Sequence, residues 1–191
     1  PCFNTPNTSF SPIDCNFHIY NNQNTYINHL LDITMDKNLE KYLQEHKIIY
    51  KEHKHQPVFR VEESKSLKES IPAMHTKCLF LKDENDNFYL ICMNAFKRLD
   101  MNTIKDKFNI NKLKFASPEE LKAQLNVKPG SVSIFTMIYA KNINLVIDED
   151  IWLAKSSGFH PNINTSTLEI NNASLKKYID SLNCSPLIIK L

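Results

Sequence analysis

Glycine is nearly absent: the 191-residue sequence contains two, Gly130 and Gly158, against a usual share of about 7%. That scarcity excludes the glycine-rich loops that cradle phosphates in dinucleotide-binding and P-loop proteins. Cysteine is present but unpatterned. Cys2, Cys15, Cys78, Cys92 and Cys184 are odd in number, scattered and never in a CxxC spacing, which speaks against a disulfide framework and a structural zinc site. They read as reduced thiols of a cytoplasmic protein, with neither metal nor cofactor implied. No apolar run approaches the roughly 20 residues of a bilayer span, and no basic segment followed by an apolar one opens the chain, so no membrane partner is expected.

Basic side chains are missing from one stretch. Residues 1–36 hold Asp14, Asp32 and Asp36 but no Lys or Arg, so the remainder carries 23 basic against 18 acidic residues, a charge of +5 inside an overall +2. That is compatible with touching a nucleic acid, without the clusters of a dedicated binder. The same 36 residues are rich in Asn, Thr, Ser and Pro and show no apolar period; they read as an N-terminal extension or linker, with a compact domain over 37–191. A start at Pro1 without Met, and abundant Asn, Lys and Ile, suggest a fragment of a longer product from an AT-rich genome.

From Lys37 the pattern changes. Leu39, Tyr42, Leu43 and His46 stand at helical spacing before a short strand at Ile48-Ile49-Tyr50. Val58-Phe59 and a charged helical stretch from Glu62 to Lys68 follow. The apolar run Cys78–Leu81, the turn Asp83–Asn87 and the run Phe88–Met93 predict a hairpin. Ser117-Pro118-Glu119-Glu120 marks a helix start, with Ser as N-cap, Pro in the first turn and Glu three residues on, and the helix should end before Pro129-Gly130. Ile134–Ile138 and Ile143–Ile147 read as strands, and Ala173–Leu182 as a helix with Leu175, Tyr178, Ile179 and Leu182 on one face. This mixture predicts an α+β (mixed α/β) domain of about 150 residues.

Four places could carry chemistry. Lys77 stands where an apolar strand begins, suited to hold a phosphate or carbonyl oxygen, though a lysine snorkelling to solvent fits the same position. His160 lies in Ser157-Gly158-Phe159-His160-Pro161, where Gly and Pro bracket a loop that is either a site or a structural turn. The loop Lys128-Pro129-Gly130-Ser131-Val132-Ser133 offers consecutive amides to an oxyanion; a helix cap followed by a strand is the alternative. His75 could act as a base but has no carboxylate nearby in sequence. His53 and His55 read as exposed strand residues without metal-ligand spacing, and Cys78 as an inert thiol in an apolar run.

Taken in order, His75-Thr76-Lys77 with Leu79-Phe80-Leu81-Lys82-Asp83, Phe115-Ala116-Ser117-Pro118-Glu119, Val127–Ser133, Phe159-His160-Pro161 and Asn164-Thr165-Ser166-Thr167 resemble the YbaK/aminoacyl-tRNA editing-domain superfamily. The resemblance is closest to its Ala-tRNA(Pro) deacylases, the ProXp-ala or PrdX group, and covers about residues 38–191. It implies a curved mixed β-sheet flanked by helices, and a pocket for the aminoacylated 3′ end of a tRNA. Lys77 falls on the family's functional lysine near the terminal adenosine and its phosphate. Gly130 opens the GxxxP loop, and His160 falls on the histidine of the FHP loop. Three departures stand out: Cys78 where Asn is usual, Ile134 where the loop ends in Pro, and Asn162 where Leu or Val follows His-Pro. They are expected to retune the amino acid accepted.

The implied function is hydrolysis of mischarged tRNA(Pro), most simply Ala-tRNA(Pro), by a protein that is free-standing or the N-terminal part of a prolyl-tRNA synthetase. The tRNA(Pro) 3′ end is then the substrate, and the synthetase a partner in cis or in trans. The alternatives are a Cys-tRNA(Pro) deacylase and a non-catalytic tRNA-binding or regulatory module of the same fold. Lys77, Gly130 and His160 are assigned to the chemistry. Ser131, Val132, Ser133 and Cys78 are expected to contact substrate, with Met74, Phe59, Phe80 and Met137 as its apolar wall beside Val58; each wall residue is also an ordinary core residue.

Overall fold

A computed structural model describes residues 35–56 and 71–191. The Val58-Phe59 pair, the Glu62–Lys68 stretch and almost all of the N-terminal segment lie outside the described residues. From Met35 onward the chain forms one compact unit, a mixed α/β arrangement of eight strands and five α-helices among the described residues.

Helix α1 (Lys37–Glu45) starts at Asp36, whose carboxylate accepts the Asn38 amide, and buries Leu39 and Leu43. Strand β1 is Tyr50–Lys54, two residues later than the Ile48-Ile49-Tyr50 expected: Ile48 is buried beneath the end of α1, and Ile49 is exposed. A strand reading Tyr-Lys-Glu-His-Lys carries little apolar signal because it lies at the sheet edge, paired only with β7 among the described residues. The predicted hairpin is present and longer than its apolar runs, with β2 over Met74–Asp83 and β3 over Phe88–Asn94. Asp83 fixes its turn, accepting from the amides of Asn85 and Asn87 and from the Tyr89 hydroxyl.

Next come α2 (Met101–Phe108), β4 (Leu113–Phe115) and α3 (Pro118–Leu125). Helix α3 begins at Ser117 with the full reciprocal cap: the Ser117 hydroxyl accepts from Glu120 N, and Glu120 accepts from Ser117 N. Residues Ile134–Ile138 form a 3₁₀ helix, not the strand expected. The Ser133 hydroxyl caps it through the Phe135 amide, and Thr136 donates to the Ser133 carbonyl. Ile134, Phe135, Thr136 and Met137 are all buried, so an apolar run that a buried strand would show is here a tight turn packed on every side. Strand β5 (Ile143–Asp148), α4 (Glu149–Leu153), β6 (Ser156–Phe159), β7 (Ser166–Asn171), α5 (Asn172–Ser181) and β8 (Leu187–Ile189) complete the chain.

The sheet order is β1-β7-β6-β2-β3-β5-β8, with β4 also paired to β2. Pairs β2/β6, β3/β5 and β5/β8 are parallel and the others antiparallel. Both faces of its centre are covered. Leu90, Cys92, Leu145 and Ile147 face the main core with α1, α3, the 3₁₀ helix and α5, whereas Leu81, Tyr89, Ile91 and Val146 meet Ile104 of α2 on the other side. Burial on two faces is why β3 reads as an unbroken apolar run. Strand β2 shares one edge with two partners: Met74 and His75 pair with β6, and Leu81–Asp83 with β4. Between them, over Lys77–Phe80, β2 has no strand partner on that edge among the described residues.

Candidate active site

That split in the sheet has Lys77 on β2 at its margin and His160 just past the end of β6. The parallel register Met74↔Ser157 and His75↔Gly158 ends two residues before Lys77 on β2 and two before His160 beyond β6, where the two strands part. Thr76 ties them there, donating its hydroxyl to the Gly158 carbonyl at 2.6 Å. Phe159, Leu168 and Ile170 turn into the main core, so strand alternation turns Gly158, Thr167 and Glu169 to the opposite face. A Cβ on Gly158 would stand 2.9 Å from the Thr167 methyl carbon, so glycine is what lets β6 and β7 pair this closely.

The polar face carries a histidine cluster. His53 bonds Glu169 at 2.9 Å, and His55 bonds Thr167 at 2.9 Å. Both were expected to be exposed; both are half-buried, and the His53 side chain, paired with Glu169 of the neighbouring strand, is only 15% accessible. His55 and His160 have ring centroids 5.8 Å apart. His160 donates from Nδ1 to the Ser166 carbonyl at 2.9 Å, since a carbonyl can only accept, which leaves Nε2 with its lone pair. Burial holds the His160 pKa below its usual 6.5, and His55 lowers it further, against the Ser166 bond that raises it. A neutral imidazole with a free acceptor nitrogen can orient a water or a hydroxyl.

Lys77 is half-buried and donates from Nζ to the carbonyl of Lys97. Burial lowers its pKa. The Lys97 side chain lies between two carboxylates, 2.9 Å from Asp148 Oδ2 and 2.7 Å from Asp150 Oδ2, and Asp148 is fully buried. Sequence reasoning missed this ion pair because its members are 51 residues apart; its one local signal was an Asp closing the apolar run Leu145-Val146-Ile147.

Gly130 adopts φ 88°, the left-handed region, and the Ser131 amide turns back to the Lys128 carbonyl. The cap of α3 is Asn126, not Gly130, and a 3₁₀ helix rather than a strand follows. Phe135 of that helix packs on Phe159 at 5.9 Å and on Tyr178 at 5.1 Å, so the 3₁₀ helix that follows the Gly130 loop and the strand that precedes His160 share one aromatic cluster. Ser131 and Val132 are half-buried, and Ser133 is buried as the helix cap. Met74 and Cys78 are half-buried against the main core, while Phe80 and Met137 belong to it. The Cys78 and Cys92 sulfurs are 3.3 Å apart across the hairpin, both as free thiols. Phe59 lies outside the described residues. Asn162, at φ 61°, is buried with both amide atoms unpartnered, an incomplete set that a bound water or substrate group would complete. Among the described residues no group of three or more His, Cys, Asp or Glu could hold a metal, and no helix is long and apolar enough to cross a membrane.

The fold recurs among solved structures. The hypothetical protein APE2540 superposes with a TM-score of 0.67 at 17% identity, over 81% of this chain and 98% of that one. A candidate trans-editing enzyme for prolyl tRNA synthetase gives 0.63 at 14% identity, over 83% and 98%. In sequence, the prolyl-tRNA editing protein ProX of Acetoanaerobium sticklandii is 29% identical over 140 residues, 72% of this chain and 85% of its own. The prolyl-tRNA synthetase associated domain-containing protein 1 of Danio rerio is 24% identical over 161 residues, 82% and 88% respectively. The family model for the aminoacyl-tRNA editing domain matches residues 55–178, a span that contains Lys77, Gly130 and His160, and the chain therefore belongs to the aminoacyl-tRNA editing domain family.

Proposed function

We propose that this protein is a deacylase of mischarged tRNA(Pro) that releases alanine. The observation that carries the reading is that, among the described residues, β2 has no strand partner on one edge over Lys77–Phe80, just beyond the pairing of Met74 and His75 with β6, the strand that leads into His160. An aminoacyl ester hydrolyses readily, so the protein has to position water and stabilise the tetrahedral oxyanion, without supplying a strong nucleophile. Lys77 holds the phosphate of the terminal adenosine. The amides after Gly130 receive the ester or ribose oxygen, and neutral His160 lines the water side. Water adds to the ester carbonyl, and the intermediate collapses to free alanine and the ribose hydroxyl. The family resemblance suggests that a neighbouring ribose hydroxyl of the substrate helps to activate that water.

The need for such an enzyme follows from binding energetics. A synthetase pocket built for proline cannot sterically exclude alanine, and one methylene is worth only about 1–3 kcal/mol, so a second, smaller pocket removes what enters it. The names of the two sequence relatives, both prolyl-tRNA proteins, support tRNA(Pro) as the carrier and the prolyl-tRNA synthetase as the partner. The test is release of alanine from Ala-tRNA(Pro), with Pro-tRNA(Pro) and Cys-tRNA(Pro) alongside, at catalytic protein concentration. Fast alanine release with proline spared is expected. Preferential cysteine release would favour the Cys-tRNA(Pro) reading, and binding without hydrolysis of any ester would favour a non-catalytic module.

A further inference from the structure

We propose that Lys97, clamped by Asp148 and Asp150, is the positioning residue of this site and acts through its own backbone carbonyl on the ammonium of Lys77. The inference rests on the reading that Lys77 contacts the substrate. A lysine ammonium has three donors on a flexible stem; the Lys97 carbonyl takes one of them, and an anionic oxygen can take the others. For that carbonyl to hold Lys77 in one place it must itself be fixed, and it is fixed from two directions.

The backbone is anchored by the turn that follows β3. Lys97 N donates to the Asn94 carbonyl at 3.2 Å, Phe96 N to Asn94 Oδ1 at 3.0 Å, and Ala95 N to the His75 carbonyl at 2.9 Å, two residues before Lys77 on the same strand. The side chain is anchored by the carboxylates. Asp148 accepts from Lys97 Nζ with both oxygens, at 3.0 and 2.9 Å, and also receives the amides of Asp150 and Leu191 at 3.3 and 3.4 Å. Burial alone would lower the Lys97 pKa, but Asp150 and Asp148 outweigh it and keep the ammonium charged. A buried carboxylate is costly unless paired, so this cation has little freedom to leave, and its carbonyl little freedom to turn.

The test is a double-mutant cycle read as single-turnover alanine release from Ala-tRNA(Pro). Lys97→Met is expected to lower kcat/KM by about 10–100-fold, the scale of an ångström-sized misplacement. Lys97→Arg, which keeps a cation between the carboxylates, is expected to restore most of it. Added to Lys77→Ala, the Lys97→Met change is expected to cost less than about twofold, because its effect passes through an ammonium already removed. A structural role would instead multiply the two losses, and that outcome overturns the proposal. So does full activity in Lys97→Met beside an impaired Lys77→Ala. Full activity in Lys77→Ala defeats the underlying reading itself, as does a wild type that releases no alanine. Should Lys97→Met fail to fold, Asp150→Asn replaces it, since that carboxylate is 41% accessible; a several-fold loss that vanishes in the Lys77→Ala background supports the proposal, and an undiminished loss rejects it.

Discussion

His160 illustrates how one side chain's surroundings set its chemistry. Its folded pKa lies below 6.5 because burial disfavours the imidazolium, with His55 adding to the effect. As the pH falls through 6.5 the unfolded chain takes up this proton first, so stability falls with acidification in the window between the ordinary and the depressed value. Thermal unfolding of His160→Gln is accordingly expected to lose less Tm than the wild type between about pH 7 and pH 5. The acid limb of alanine release should also lie below 6.5, measured under single turnover. Lys77→Ala should abolish most of that release while the protein keeps its circular dichroism spectrum. Gly130 is a second case: at φ 88° any L side chain is strained, and Gly130→Ala is expected to cost about 1–2 kcal/mol, roughly 3–6 °C in Tm.

Among the elements, the start of α3 was legible to the residue because its signals are local, whereas its end at Leu125 comes earlier than the Pro129-Gly130 boundary expected. Ser117, Pro118 and Glu120 act within one turn, and Ser117→Ala should cost about 1 kcal/mol, read as a lower urea midpoint with an unchanged slope. The hairpin was legible for the same reason, since two apolar runs flank a turn that Asp83 closes on itself. The 3₁₀ helix was not. Ile134–Ile138 has the composition of a buried strand, and what decides otherwise is a cap at Ser133 and packing by residues distant in sequence. Strands β6 and β7 escaped detection because Ser-Ser-Gly-Phe has no apolar run and because the polar half of each strand faces the histidine cluster. Helix α2 was missed because its eight residues bury only Ile104, too few to set up a helical period.

Across the whole molecule, the aromatic cluster joins parts that the chain keeps far apart. Tyr178 of α5 is fully buried and donates to the Ile134 carbonyl at 3.0 Å, while its ring meets Phe135, which meets Phe159. One helix thus anchors the start of the 3₁₀ helix directly and meets β6 through Phe135. Tyr178→Phe leaves the Ile134 carbonyl buried without its donor, so a loss of about 1–3 kcal/mol is expected in denaturant unfolding. On the proposed reading, in which both loops border the site, alanine release should fall as well.

The sequence by itself determined the mixed α/β class, the hairpin, the capped α3 and the ordered motifs around Lys77, Gly130 and His160, because each depends on neighbours a few residues away. Tertiary structure alone decided that β2 changes partners along one edge, leaving Lys77 without a strand partner there among the described residues. It also decided that His53 and His55 bond across to Glu169 and Thr167 of β7, and that Asp148 reaches back across 51 residues to hold Lys97. Those outcomes depend on strand order and on the pairing of buried charges, which arise only when separate stretches of chain share one core.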